Sequence, residues 1–354
     1  MSKIKIAIIG CGNIATKAHM GNYQQLTDRY EVVAVCDIVP GRAESFAKQF
    51  GVPAWYEDYH DVLKIEGLDA VDICTPNYLH SIIAVDALNA GLHVLCEKPD
   101  AINPEEAMKM KAAAEKNGKT LMVIRNNRFM NHSTYLKQYI EDGGLGKIYA
   151  ARCGWQRRRG IPGKGGWFTT KAKSGGGPLI DLGVHMIDVS IWLMGNPRPV
   201  AVSGATYREF ADHYVPLGHS DRDKDPNGTF DVEDLAMGFI RFDNGACLQL
   251  EFSWASNVEK DDRFYELRGT RAGAEWHSRD DQLRIYGEAS GKTVDIIPNF
   301  GKQQLNGHKG NLENFADVLE GKADPVFLPD QGIDMIKILC AIYESAETGK
   351  EVLL

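Results

Sequence analysis

Five short runs of apolar and β-branched residues punctuate the first 125 positions: IKIAIIG, EVVAVCD, DAVDICT, LHVLCEK and TLMVI. They are apolar almost throughout, as strands covered on both faces must be. Between them lie stretches of roughly a dozen residues or more, long enough for crossover helices. The pattern predicts βαβ units, a doubly wound parallel sheet, and a ligand crevice at the carboxyl ends of its strands.

Beyond Arg125 the rhythm changes. A helical pattern from Asn131 to Asp142 is followed by longer alternating runs, among them AMGFIRF, ACLQLEFSWAS and RFYELRGT, with a hairpin signal at Asp243-Asn244-Gly245. A helix apolar on nearly every side, Pro178 to Met194, interrupts the set, and helices near Gly310 to Leu319 and Asp330 to Glu347 close the chain. We expect a first domain over residues 1–125 of α/β class. A second, over 126–354, is of α+β class, with a large, open, mainly antiparallel sheet and with C-terminal helices able to pack back on the first domain. No internal repeat is present, and the one biased tract runs from Gly160 to Gly177.

Composition narrows the function. A length of 354 residues with 44% hydrophobic content suits two domains with full cores. A formal charge of -8 argues against nucleic acid and anionic membrane as partners. The seven cysteines (Cys11, Cys36, Cys74, Cys96, Cys153, Cys247, Cys340) form no C-x-x-C pair, which speaks against a disulfide framework and a zinc site and for the reducing cytoplasm. The N-terminal apolar run is too short for a membrane span or a signal segment, and no metal is expected. His213, His219 and Asp221 match no metal-ligand spacing.

Chemistry enters at IKIAIIGCGNIATKAH, where Gly10, Gly12 and Ala15 form G-x-G-x-x-A between a strand and a helix. Glycines let the backbone turn and approach a pyrophosphate, whose charge the helix N-terminus holds. Asp37 closes the next strand, where a carboxylate accepts from ribose hydroxyls and repels a 2'-phosphate, favouring NAD over NADP. Arg42, five residues on, softens that preference. The plain alternative is a glycine turn with a helix-capping aspartate.

Two further strands end in CTPNYLH and CEKP. Pro99 biases Lys98 toward extended backbone, aiming its ammonium into the crevice, although a lysine in a strand-to-loop turn is more commonly just solvated. In SGGGPLIDLGVH, Asp181 and His185 share a helix face, and the same stripe continues through Asp188 and Trp192. Buried carboxylates need partners or a polar cavity. An internal Asp-His pair and an active-site cavity both satisfy that demand. Glycines 175–177 let the backbone pass close to a ligand or another chain.

Taken in order, G-x-G-x-x-A, TPNYLH, EKP, GGGPLIDLGVH and VEDLAMGFIRFDNGA resemble the Gfo/Idh/MocA family of nicotinamide-dependent sugar and inositol oxidoreductases, over essentially the whole chain. The resemblance implies an NAD(P)-binding Rossmann domain and a substrate-binding and oligomerisation domain. It implies Lys98, Asp181 and His185 as the catalytic set. Gly10, Gly12, Asn13, Ile14 and Asp37 would hold the dinucleotide, while Thr75, Pro76, Asn77, His80, Glu97 and Lys98 line its nicotinamide side. The expected activity is oxidation of a secondary ring hydroxyl of a sugar, glycoside or inositol, in a homodimer or homotetramer formed through the open sheet. A redox-assisted glycosidase with retained NAD, and a non-catalytic sugar sensor, are the alternatives within that superfamily.

GWQRRRGIPGKGGWFTTKAK carries Arg157, Arg158, Arg159, Lys164, Lys171 and Lys173 with no acid. It reads as a solvated or intersubunit loop, or as a specificity loop in which Trp155 or Trp167 stacks on a sugar face and Arg157 meets an anion or hydroxyls. Arg128 completes the substrate candidates.

Overall fold

The computed structural model describes residues 3–211, 225, 227–301 and 305–354, so His213, His219 and Asp221 lie outside the described residues. The chain forms two units, Met1–Asn126 with Asn306–Ile333, and Asn127–Leu305 with Asp334–Leu354. Among the described residues no helix is long and apolar enough to cross a membrane.

The first unit holds strands β1 (Ile4–Ile9), β2 (Tyr30–Cys36), β3 (Ala54–Tyr56), β4 (Ala70–Ile73), β5 (His93–Cys96) and β6 (Leu121–Val123). Their order is β3-β2-β1-β4-β5-β6 and every pairing is parallel. This is the doubly wound order that reverses beside β1, where such sheets hold dinucleotides. Ile6, Ile8, Val35 and Leu95 fill the core, joined by Leu312, Phe315 and Ala316 from the helix Gly307–Leu319. Tyr30 donates its hydroxyl to the Leu312 carbonyl at 2.6 Å, and Arg29 meets Glu320 and Asp317 at 2.7 and 2.8 Å. That C-terminal helix is thus an integral layer of the parallel sheet.

The second unit is built on strands β7 (Ile148–Gln156), β8 (Pro199–Tyr207), β9 (Leu235–Phe242), β10 (Cys247–Ser253), β11 (Asp262–Gly269), β12 (Gly273–His277), β13 (Gln282–Ala289), β14 (Lys292–Ile296) and β15 (Val352–Leu353). They run β14-β13-β12-β11-β7-β10-β9-β8-β15, antiparallel except for the central pair β7 and β10. The Asp243-Asn244-Gly245 turn joins β9 to β10, with Gly245 at φ +82° and the Asn244 side chain accepting the Ala246 N–H at 2.9 Å. The apolar helix begins at Pro178, as its pattern suggests. It opens with a wide π turn, Leu179–Gly183, before an α segment, Val184–Leu193.

That helix is fastened from below. Arg128 reaches Asp188 with Nε at 2.8 Å and Nη2 at 2.7 Å, both groups buried. Removing one partner of such a pair strands a buried charge, whereas removing both does not. We expect Arg128→Leu to cost about 3 kcal/mol or more in urea unfolding and Arg128→Leu with Asp188→Leu to recover most of it.

Candidate active site

At the end of β1 the chain turns at Gly10, φ +101°, where a Cβ would stand 2.6 Å from the Cys74 carbonyl oxygen. Only glycine fits. Gly12 meets nothing within 4 Å, so its constraint does not come from the protein. Asp37, only 8% exposed, accepts the Cys11 N–H and the Val39 N–H, each at 2.9 Å, and Arg42 Nη1 stands 3.4 Å from its Oδ2. The carboxylate thereby pins the glycine turn to the end of β2. Ile38 and Ile14, 83% and 37% exposed, flank this turn as apolar surface suited to a flat heterocycle.

These features fit a dinucleotide. The Thr75 hydroxyl adds to the fit: it is buried with no hydrogen-bond partner among the described residues, just past the carboxyl end of β4, where sheets of this order take their ligands. Pro76 leads into the short turn Asn77–Leu79, in which Asn77 is buried. His80 places its two ring nitrogens 2.7 Å from the Pro99 carbonyl and 2.8 Å from that of Thr75, tying the β4 and β5 end loops together. Burial lowers its pKa. Its ring is occupied by the main chain.

Glu97 faces inward. Its Oε1 lies 2.8 Å from His19 Nε2, and its Oε2 accepts the Lys98 N–H at 3.0 Å. His19, only 1% exposed, also meets Asp72 at 2.6 Å through Nδ1. Glu97 therefore fixes the backbone that carries Lys98 rather than presenting its own oxygens outward. Donor atoms of His19, Glu97 and His308, and of His19, Asp72 and Cys74, lie within 4.8 Å of one another. The His19 contacts are of hydrogen-bond length, and we read a buried ion network.

In the second unit, Asp181 and His185 are the only residues between Gly176 and Ser190 that are not buried. Trp254 Nε1 donates to Asp181 Oδ2 at 3.0 Å, and the His185 ring lies 5.9 Å from that of Trp155. The stripe read from sequence divides here: Asp188 turns to Arg128, and Trp192 packs near the same guanidinium at 5.8 Å. Asp188 is buried and Trp192 half-buried, and both lie with His185 in the α segment that follows the π turn. Arg128 is thus committed to the core.

Trp155 lies opposite Arg263 across β7 and β11, and the Arg263 guanidinium sits between two indoles, 5.3 Å from Trp155 and 5.2 Å from Trp276. Burial lowers its pKa, and among the described residues no carboxylate lies within ion-pair distance. Sequence reasoning missed Arg263 because one arginine at the start of a strand looks like any solvent-facing position. Arg157 stands 5.1 Å over Trp155 and donates to the Gly160 carbonyl at 3.2 Å. Arg158 and Arg159 bond the segment around Ser256 to Asp261, and Trp167 stacks on Phe168 at 3.8 Å. Most of the positive loop thus fastens local backbone.

Comparison with known proteins agrees with this architecture. Residues 4–125 match the profile described as an oxidoreductase family, NAD-binding Rossmann fold, and residues 137–354 its C-terminal alpha/beta domain. The chain is 35% identical, over 99% of its own length and 97% of the relative's, to the D-glucoside 3-dehydrogenase of Escherichia coli strain K12. In fold it is similar to an oxidoreductase domain protein from Kribbella flavida, with TM-score 0.89, 23% identity and coverage of 100% and 99% of the two chains. It is likewise similar to levoglucosan dehydrogenase in complex with NADH and levoglucosan, with TM-score 0.86, 24% identity and coverage of 99% of both.

The two glycines separate folding from binding. Gly10→Ala should lower thermal stability, because the β1 turn cannot close, while Gly12→Ala should keep the wild-type melting temperature and weaken NAD binding by about 10-fold or more in calorimetry.

Proposed function

The chain belongs to the Gfo/Idh/MocA oxidoreductase family, both of whose domains it contains, and from that premise we propose that it oxidises a secondary ring hydroxyl of a sugar with NAD, a D-glucoside being the favoured substrate. The observation that carries this reading is the pair Asp181 and His185, the two residues left open on a helix otherwise buried through that stretch. The glucoside assignment is supported by the end-to-end likeness to a D-glucoside 3-dehydrogenase.

Bound nicotinamide would supply the hydride acceptor for the carbinol carbon. The protein's part is proton handling and orientation. In this reading His185 takes the hydroxyl proton, since an imidazole titrates near neutral pH. Asp181, steadied by the Trp254 indole N–H, orients the imidazole or a neighbouring sugar hydroxyl. Lys98 donates to the reacting oxygen and stabilises the charge that develops there. Trp155 and Arg263 supply an apolar face and a hydrogen-bonding edge beside His185, as a sugar ring requires. Asp37 receives the adenosine ribose hydroxyls, which favours NAD over NADP.

We further propose assembly through the open face of the second sheet, in a cytoplasmic homodimer or homotetramer. That face exposes Met237 and Tyr286 beside a ladder of Arg152, Glu266 and Arg268, and sedimentation will test the assembly.

The deciding assay supplies methyl glucosides, inositols and uronates with NAD, and aryl glucosides with aglycone release followed separately. Stoichiometric NADH supports the proposal; aglycone release without net NADH replaces it with redox-assisted hydrolysis. Lys98→Met should reduce kcat about 100-fold or more with NAD affinity nearly unchanged. His185→Ala should do the same and abolish the neutral limb of the rate profile, and an unchanged profile would remove it as the base. In Asp37→Ser, with Arg42 retained, the ratio of NADP to NAD kcat/KM should rise about 10-fold or more.

A further inference from the structure

Just before β9, the carboxylate of Glu233 is buried against the start of the helix that carries Asp181 and His185. Its Oε2 accepts the Gly177 N–H at 2.9 Å, and its Oε1 accepts the Leu179 N–H at 3.0 Å and the Tyr343 hydroxyl at 2.9 Å. These amides belong to the opening turn, whose N–H groups have no partner within a helix, and Pro178 between them has none to offer. The carboxylate caps the helix from outside, with the sign of charge that the helix N-terminus favours.

Two of the three glycines take their meaning from this cap. A Cβ at Gly176 would collide with the Tyr343 hydroxyl, and one at Gly177 with the Glu233 carbonyl. The neighbouring residue extends the arrangement: the Asp234 carbonyl accepts the backbone N–H of Trp254 at 2.9 Å, and the Trp254 indole is the donor to Asp181. One corner of chain therefore fixes both the helix start and the group that orients its aspartate.

We propose that Glu233, braced by Tyr343, is a positioning residue that sets where this helix begins and hence where Asp181 and His185 meet the substrate. This rests on the reading that those two residues act on substrate. Its acceptor bonds need the carboxylate form, because a carboxylic acid would turn a proton toward a donor.

Burial pushes the Glu233 carboxyl up to about 7, against the Leu179, Gly177 and Tyr343 donors that lower it. Its facing groups are those two amides and Tyr343; behind Tyr343 lie Cys340 and Lys171, the latter's ammonium 5.9 Å from the ring. Among the described residues no cation pairs with it. The folded value stands above the ordinary 4.5, so the stability this group contributes is complete below about 4.5 and is lost as pH rises through about 7. The cap has the opposite sense: it is complete above that value and opens as pH falls.

The test pairs turnover of the holoenzyme on methyl glucoside with hydrogen exchange of the peptide spanning 175–185. In Glu233→Gln, kcat should fall about 10-fold or more with NAD affinity unchanged, and the 175–185 amides should exchange faster at pH 8. Tyr343→Phe removes one hydroxyl and little else. It takes away a donor to the charged form, so the acid limb of kcat and the pH at which exchange accelerates should both move upward. Wild-type kcat and exchange in Glu233→Gln, or limbs unmoved in Tyr343→Phe, would overturn the proposal. Exchange reads the cap without turnover, so a protein that oxidises no sugar would sink the proposed activity while the exchange result still decided the role of Glu233 in the helix.

Discussion

A carboxylate shut away from water must find donors, and this chain meets that demand with backbone amides at its functional turns. Asp37 takes the amides of Cys11 and Val39. Glu97 takes that of Lys98, and Glu233 those of Gly177 and Leu179. In each case the bond is made to the main chain, so the turn is held by its own backbone. The Rossmann turn, the lysine turn and the helix carrying the aspartate and histidine are three instances of one solution.

His19 shows what the solution costs inside a core. Burial disfavours its charge, but Asp72 raises its pKa well above the ordinary histidine value. Burial would raise Glu97, yet the bonds from His19 and His308 hold it well below the carboxylate range. A charged imidazole has a donor on each nitrogen, so that both contacts, 2.6 and 2.8 Å, are hydrogen bonds. Tyr23 gives Asp72 a further donor at 2.8 Å. The network spans β4, β5 and the turn after β1, the strand ends that frame a dinucleotide site in this fold.

Much of this was legible in the chain itself, because local periodicity and turn chemistry agree with the fold. The parallel strands announced themselves as apolar runs, and G-x-G-x-x-A as a turn that the Cys74 carbonyl permits only to glycine. The antiparallel sheet was visible in alternation, though the short strands β3, β12, β14 and β15 gave too few residues to show a period, and the parallel pairing of β7 with β10 joins segments far apart in sequence. The helix was read as α from its start, and the π turn that opens it left no mark in the spacing of apolar positions. The reason for Gly176 and Gly177 was invisible, because the atoms that crowd them belong to Tyr343 and Glu233, far along the sequence. Arg263 was hidden for the same cause: a cage of two indoles exists only once β7, β11 and β12 are side by side.

One helix carries two buried carboxylates against it, and they are satisfied differently. Asp188 is met by the guanidinium of Arg128 through two bonds, a pairing that neither partner can leave without a large desolvation penalty. Glu233 is met by two amides and a phenol, all neutral. Neutral donors stabilise a carboxylate without pinning its proton affinity as a permanent cation does, and burial then carries it toward neutrality. The lower half of the helix is therefore locked by charge. Its opening turn is locked by a group whose charge is set by the pH of the medium, and that turn is the one next to Asp181. An arginine in place of Tyr343 would make a stronger cap and a constant one, and would remove the sensitivity where the helix meets its chemistry.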